Sequence, residues 1–149
     1  MRIAIGSDHG GFELKKDIIE YLKKRNYCVV DVGCFNPDDC DYPQYSFAVA
    51  GLVGAKKVDR GIAICKSGIG NSIVANKVKG VRAALCFNVA QARSSREHND
   101  ANMLVLGALY VKKSTVRSML CAWLKTSALA GRHARRVRQI KKIETKVFK

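Results

Sequence analysis

An α/β fold, with a parallel sheet covered on both faces by helices, follows from two features of the sequence. Continuously apolar runs such as "RIAIGSD" and "RGIAIC" recur along the chain, and each is followed by a segment whose apolar residues return at helical spacing. Strands without polar alternation are buried on both faces, as a parallel, doubly wound sheet requires. The length of 149 residues suits one domain, 1–149, with a sizeable core.

The first strand, "RIAIGSD", leads into "GFELKKDIIEYLKKR", where Leu14, Ile18 and Leu22 mark an apolar face and lysines the other. "YCVVDVG" is the second strand, and a loop with Asn36, Pro37 and Asp38 joins it to the helix "YSFAVAGLVGAKK". The third strand, "RGIAIC", opens into "GNSIVANKV". "GVRAALC" with "NVAQARSSREHN" forms the fourth unit. "ANMLVLG" with "STVRSMLCAWLKTS" forms the fifth, where Val116, Leu120 and Leu124 make the apolar stripe. After a break at Ala130 and Gly131, residues 131–149 read as a last helix, too basic to pack wholly in its own core.

A chain that is 48% hydrophobic and 26% charged, with 2 prolines, belongs with folded proteins and not with disordered or collagenous ones. No apolar run approaches a membrane span, and the N-terminal one is too short for a secretory signal, so a cytoplasmic protein without membrane contact is expected. The six cysteines form no C-x-x-C pair and are expected as free thiols. A metal loop from Cys28, Cys34 and Cys40 is a weaker reading than small residues in a strand and loop. The net charge of +15 is uneven, since Glu144 is the only acidic residue from Ala101 onward. That predicts an anionic partner or substrate, either a nucleic acid or a phosphorylated small molecule.

Ligands of doubly wound sheets sit at the carboxyl ends of strands. Asp8 and His9 follow the first strand, Tyr42 follows the loop after the second, and "CKSGIGNS" follows the third. That loop is neither a G-x-x-x-x-G-K-[ST] phosphate loop nor a G-x-G-x-x-G dinucleotide loop. Its amides, ahead of a helix, can hold an oxyanion or a phosphate. Cys65 at the strand tip is a nucleophile, a base, or a small core residue, and Lys66 beside it is expected to point away. His98, followed by Asn99 and Asp100, is either a general acid or base or a surface helix end. Asp8 and His9 also fit a helix cap and its neighbour. Arg132 and Arg136, four residues apart, can clamp a phosphate or form a solvated face. Taken together, thiol, imidazole, amide donors and paired arginines suit one task, moving a proton on a sugar phosphate.

Along almost the whole chain the motifs "GSDHGGFELK", "DYP", "ICKSGIGNSIVANK", "GVRAAL", "SREHNDANMLVLG" and "GRHARRV" resemble the B-type ribose-5-phosphate isomerases and the related allose- and galactose-6-phosphate isomerases. The resemblance implies a three-layer Rossmann-like fold with a five-stranded parallel sheet. It implies no metal or organic cofactor, and a homodimer or dimer of dimers whose C-terminal helix, in 131–149, reaches the partner's site. It assigns Cys65 as the base that moves a proton from C2 to C1 through an enediolate, and Ser67 to the position where a threonine is common. Donors around Ser67, Gly68, Ile69 and Gly70 would stabilise the enediolate oxygen. His98 would open the furanose ring, Asp8 and Asn99 would hold hydroxyls, and His9, Arg132 and Arg136 the phosphate. Tyr42 would line the pocket.

Two positions depart from the family pattern. Lys66 stands where a glycine is usual, and Leu109 near where some members carry an arginine, so both bear on phosphate contacts and on whether a five- or six-carbon sugar phosphate is preferred. Asn71 occupies the position where another branch of the family carries its glutamate base. The rival class is a nucleic-acid-binding domain built on the basic tail, against which stand the scarcity of aromatics among those cations and the lack of a nucleic-acid motif.

Overall fold

The computed structural model describes residues 1–148. Five strands form one parallel sheet, β1 (Arg2–Ser7), β2 (Cys28–Asp31), β3 (Arg60–Cys65), β4 (Ala83–Leu85) and β5 (Met103–Gly107), in the order β2-β1-β3-β5-β4. Six α-helices accompany it: α1 (Phe12–Lys23), α2 (Tyr42–Gly54), α3 (Ile69–Ala75), α4 (Val89–Asn99), α5 (Lys113–Lys125) and α6 (Arg132–Val147).

Each central strand sends alternate residues into two different cores. Ile3, Ile5, Ile62, Ile64, Leu104 and Leu106 face α1, α4 and α5, with Trp123 and Met119 fully buried between them. Ala4, Ala63 and Met103 face α2 and α3, and the small side chains there let those helices approach the sheet closely. The three-layer Rossmann-like arrangement expected from the sequence is therefore present. Two boundaries differ from the sequence pattern. Helix α2 begins at Tyr42 with Pro43 in its first turn, where a missing N–H costs nothing. β4 keeps only three residues, because its pairing with β5 is limited to Ala83–Leu85.

Strand order reverses between β1 and β3, since the chain moves outward from β1 to β2 and then crosses back to the other side. Such a switch point leaves a crevice above the carboxyl ends of the two strands. The residues that end them are Ser7, followed by Asp8, and Cys65.

Helix α6 packs along α4 by Val137 and returns to the start of β4, where Glu144 Oε1 accepts from the Gly80 amide at 2.6 Å. Its remaining apolar residues, Ile140, Ile143 and Val147, are exposed. Lys149, the end of the 131–149 segment, lies outside the described residues.

Candidate active site

Cys65 ends β3 in register with Gly107 at the end of β5, and it is buried. The backbone turns immediately afterwards: Gly68 has φ +79°, a conformation that an L side chain resists, and its amide donates to the Cys65 sulfur at 3.1 Å. Ile69 donates in the same way to the Ser67 hydroxyl at 3.2 Å. Thus two loop amides are already aimed at the two side chains most able to carry a proton. Gly70 serves a different need. A β-carbon there would stand 2.3 Å from the Tyr42 ring, so the glycine is what admits the phenol to the pocket.

These groups line an open cleft of about 490 Å³ with Asp8, Lys66 and Ile73, a size suited to a small ligand. Asp8 caps the adjoining turn, its Oδ1 accepting from the Gly11 amide at 3.0 Å, and the residue also borders the cleft. Lys66 does not point away, as extended alternation would have it. Its methylenes lie against Gly10, whose β-carbon would meet Lys66 Cγ at 2.4 Å, and the side chain turns along the cleft. The reason is that the chain leaves the strand geometry at Cys65.

His9, next to Asp8, turns toward the loop after β2 and does not line the cleft. Its Nδ1 lies 3.2 Å from the Cys40 amide and its Nε2 lies 3.1 Å from Asp39. That loop is tied down by the buried Lys15, whose ammonium reaches both Asp31 oxygens (2.6 and 2.8 Å) and the Cys34 carbonyl (2.6 Å). Burial pushes the Cys34 thiol up, and the Cys86 thiol up to about 11. Among the described residues no three His, Cys, Asp or Glu side chains gather as metal ligands, so the Cys28, Cys34 and Cys40 spacing builds no such site there.

The remaining candidates lie elsewhere. Helices in βα units run back along the sheet, so the last turn of α4 sits at the amino ends of the strands. Hydrogen bonds place it there directly: Arg82, just before β4, donates from Nε to the Asn99 carbonyl at 3.0 Å. A strand of six residues separates the two ends of the sheet by ~20 Å. His98 and Asn99 therefore do not meet Cys65 within one chain. They meet α6 instead, where the rings of His98 and His133 stack with centroids 4.2 Å apart and planes 8° from parallel. Arg132 and Arg136 are exposed on the same helix.

Sequence reasoning passed over His133, although it lies beside Arg132 in "GRHARRV". It also passed over Phe87 and Tyr110, which follow β4 and β5 and stand edge to face, with centroids 6.1 Å apart, beside Ser67 and Ile69. The rule that ligands gather after strands would have found both. A separate groove of about 360 Å³ between α1 and α5 gathers Asp17, Lys113 and Arg117 around apolar residues but no such set of proton-moving groups. No helix among the described residues is long and apolar enough to cross a membrane.

Known proteins carry the same architecture. A structure of ribose-5-phosphate isomerase B from Clostridium thermocellum superimposes with a TM-score of 0.96 at 50% identity, covering 99% of each chain. The Mycoplasma genitalium ribose-5-phosphate isomerase B, solved with bound ribulose-5-phosphate, gives 0.93 at 41% identity over 97% of this chain and 96% of that one. Ribose-5-phosphate isomerase B of Escherichia coli strain K12 is 42% identical over 143 residues, 96% of this chain and 96% of that protein. The model of one family, Ribose/Galactose Isomerase, matches residues 3–140. With that model spanning all five strands, both ends of the sheet and the first half of α6, the chain belongs to the ribose/galactose isomerase family.

Proposed function

We propose that this protein interconverts ribose 5-phosphate and ribulose 5-phosphate, with Cys65 as the base and no metal or organic cofactor. The observation that carries the reading is the Cys65 sulfur at the switch-point crevice, held by the Gly68 amide beside the Ser67 hydroxyl, in a chain similar to an isomerase solved with ribulose-5-phosphate. As thiolate, Cys65 takes the proton from C2 of the open-chain aldose. The electrons of that C–H bond form the C1–C2 double bond of an enediolate, and the same proton returns to C1. Ser67 exchanges the hydroxyl proton between O2 and O1. Negative charge grows on an oxygen beside the Gly68, Ile69 and Gly70 backbone, where fixed donors need no reorganisation. Asp8 and Tyr42 hold the sugar hydroxyls, and Lys66 and His9 lie on the anion's approach.

Ring opening by His98, and the contacts of Asn99, Arg132 and Arg136, come from a second copy of the chain. Three features support this. Those residues stand at the opposite end of the sheet from Cys65 in their own chain. The arginines are exposed. The cleft's outer wall consists of exposed apolar residues, with Ile69, Ile73 and Tyr110 each more than half accessible. A two-fold pair places the same patch of each copy on the other, so one contact completes two sites. We take the assembly as a homodimer or a pair of them in the cytoplasm, without membrane or nucleic-acid partners.

Proton NMR of ribose 5-phosphate in D₂O tests the reading. Wild-type protein is expected to yield ribulose 5-phosphate, and Cys65→Ala is expected to yield none. No conversion by wild type, with conversion of allose 6-phosphate or galactose 6-phosphate in parallel tubes, would move the substrate to six carbons. No conversion of any of the three would overturn the isomerase reading.

A further inference from the structure

We propose that His133 is a positioning residue for His98, its stacked imidazole setting the plane in which the His98 ring meets the sugar. The inference rests on the ring-opening role given to His98 above and adds a residue that this role requires.

His98 is exposed in the last turn of α4, and among the described residues no hydrogen bond orients its ring. An imidazole so placed turns about its χ2 bond, which has a broad energy profile. A general acid or base has to stand within hydrogen-bond reach of its proton and along the right direction, so a turning ring spends most of its time misaimed. The stack supplies the missing constraint. Its near-parallel planes and 4.2 Å spacing cover one face of the His98 ring and so restrict its turning.

His133 comes from the first turn of α6, 35 residues further along the chain, so the contact is made only when α6 packs on α4. Its two nitrogens are unequally placed. Arg132 Nε donates toward His133 Nε2 at 3.5 Å, which puts the proton of the neutral ring on Nδ1, and Nδ1 is buried with no partner. A buried donor without an acceptor costs stability, and a phenyl ring would fill that space without the cost. An imidazole at this position instead connects two functions: one face fixes His98 and one edge touches Arg132, which belongs to the phosphate clamp. Desolvation lowers the His133 pKa below the ordinary histidine value. The charges of His98, Arg132 and Arg136 add to this and Glu97 opposes it, and the net shift favours the neutral form, the one able to accept from Arg132.

The test measures kcat and KM for ribose 5-phosphate, which is mostly a closed ring, and for its 4-deoxy analogue, which has no O4 with which to close a furanose. His133→Ala is expected to lower kcat for ribose 5-phosphate about 10-fold to 100-fold, the scale of a misplaced catalytic group, and to leave kcat for the analogue unchanged. His133→Phe keeps the stack and is expected to restore kcat for ribose 5-phosphate while KM stays raised, because the contact with Arg132 is gone. Equal losses of His133→Ala on both substrates, or no loss on either, would overturn the proposal, as would a His133→Phe variant no better than alanine. His98→Asn, run in parallel, separates the two ideas. If it loses ribose 5-phosphate selectively and His133→Ala does not, positioning alone fails; if it loses both substrates equally, the ring-opening role fails and the proposal falls with it.

Discussion

The tip of β3 and the far end of α4 are built on opposite plans. At the tip of β3 the backbone sets the geometry: Cys65 is buried, the Gly68 amide holds its sulfur, and the Tyr42 ring is admitted only because residue 70 lacks a β-carbon. At the end of α4 side chains set it, on exposed helix surfaces, with His98 against His133 and the exposed Arg132 and Arg136 on α6. A rigid main-chain loop can place a base and its oxyanion donors to within a fraction of an ångström. Long cationic side chains suit an anion that has to enter and leave. On the reading proposed above, base chemistry and most of the anion binding occupy opposite ends of one chain, and a partner copy would bring them together.

Removing each half in turn tests that division most severely. Cys65→Ala should lower kcat by about 10³-fold or more, the upper range for loss of a general base, while ligand still binds. Stopped-flow or NMR turnover checks it, and retained activity would move the base elsewhere. Next, Cys65→Ala and His98→Asn chains, each impaired alone, should regain activity when unfolded together and refolded as mixed dimers. With random pairing, half of the dimers carry one intact site of two, so recovery of about one quarter of wild-type activity is expected. If mixing recovers nothing, both groups serve the same chain's site.

A third prediction concerns the support beneath the β3 tip. Asp31→Ala leaves the buried Lys15 ammonium without its carboxylate, and should cost about 2–3 kcal/mol, less than a fully enclosed pair because water reaches Asp31. Thermal unfolding should fall by about 4–12 °C for a domain of this size. Because Lys15 also binds the Cys34 carbonyl, the loop that holds His9 should loosen, and KM should rise. A smaller effect is expected from Lys66→Gly, which removes the one lysine or arginine lining the cleft among the described residues. KM should rise about 2-fold to 5-fold at low salt and converge on wild type at high salt, as for an exposed charge. Equal KM at all salt concentrations would place all the anion affinity at the α6 end. The smallest effect is none at all. Cys86, whose thiol burial raises to about 11, should stay unmodified by iodoacetamide at pH 8 in the folded protein, as intact-mass peptide mapping would show.

Much of the β3 side was legible in the sequence. The apolar runs ending in Ser7 and Cys65 predict buried parallel strands, and a parallel sheet puts the residues just beyond their carboxyl ends in the ligand crevice. The direction of Lys66 was not legible, because alternation holds only while the chain stays extended and Gly68 ends that at once. Nor was the turn of His9 toward Asp39, which depends on a loop anchored by Lys15 from another element. The placement of His98 at the far edge does accord with a parallel topology, since each helix must return to start the next strand. Its stacking partner there does not emerge from topology.

Residue type and periodicity alone were enough for the alternation of strand and helix, the three-layer fold, the cysteine at a strand tip before a glycine turn, and the basic last helix. These are local matters, because periodicity records which side of an element is buried and special backbone angles call for particular residues. The folded chain was needed to see that Tyr42 covers Gly70, that Lys66 turns along the cleft, and that His98 stacks on His133 at the opposite end of the sheet from Cys65. Those contacts join segments far apart in the chain, and packing of whole elements against each other selects them, which no window of neighbouring residues encodes.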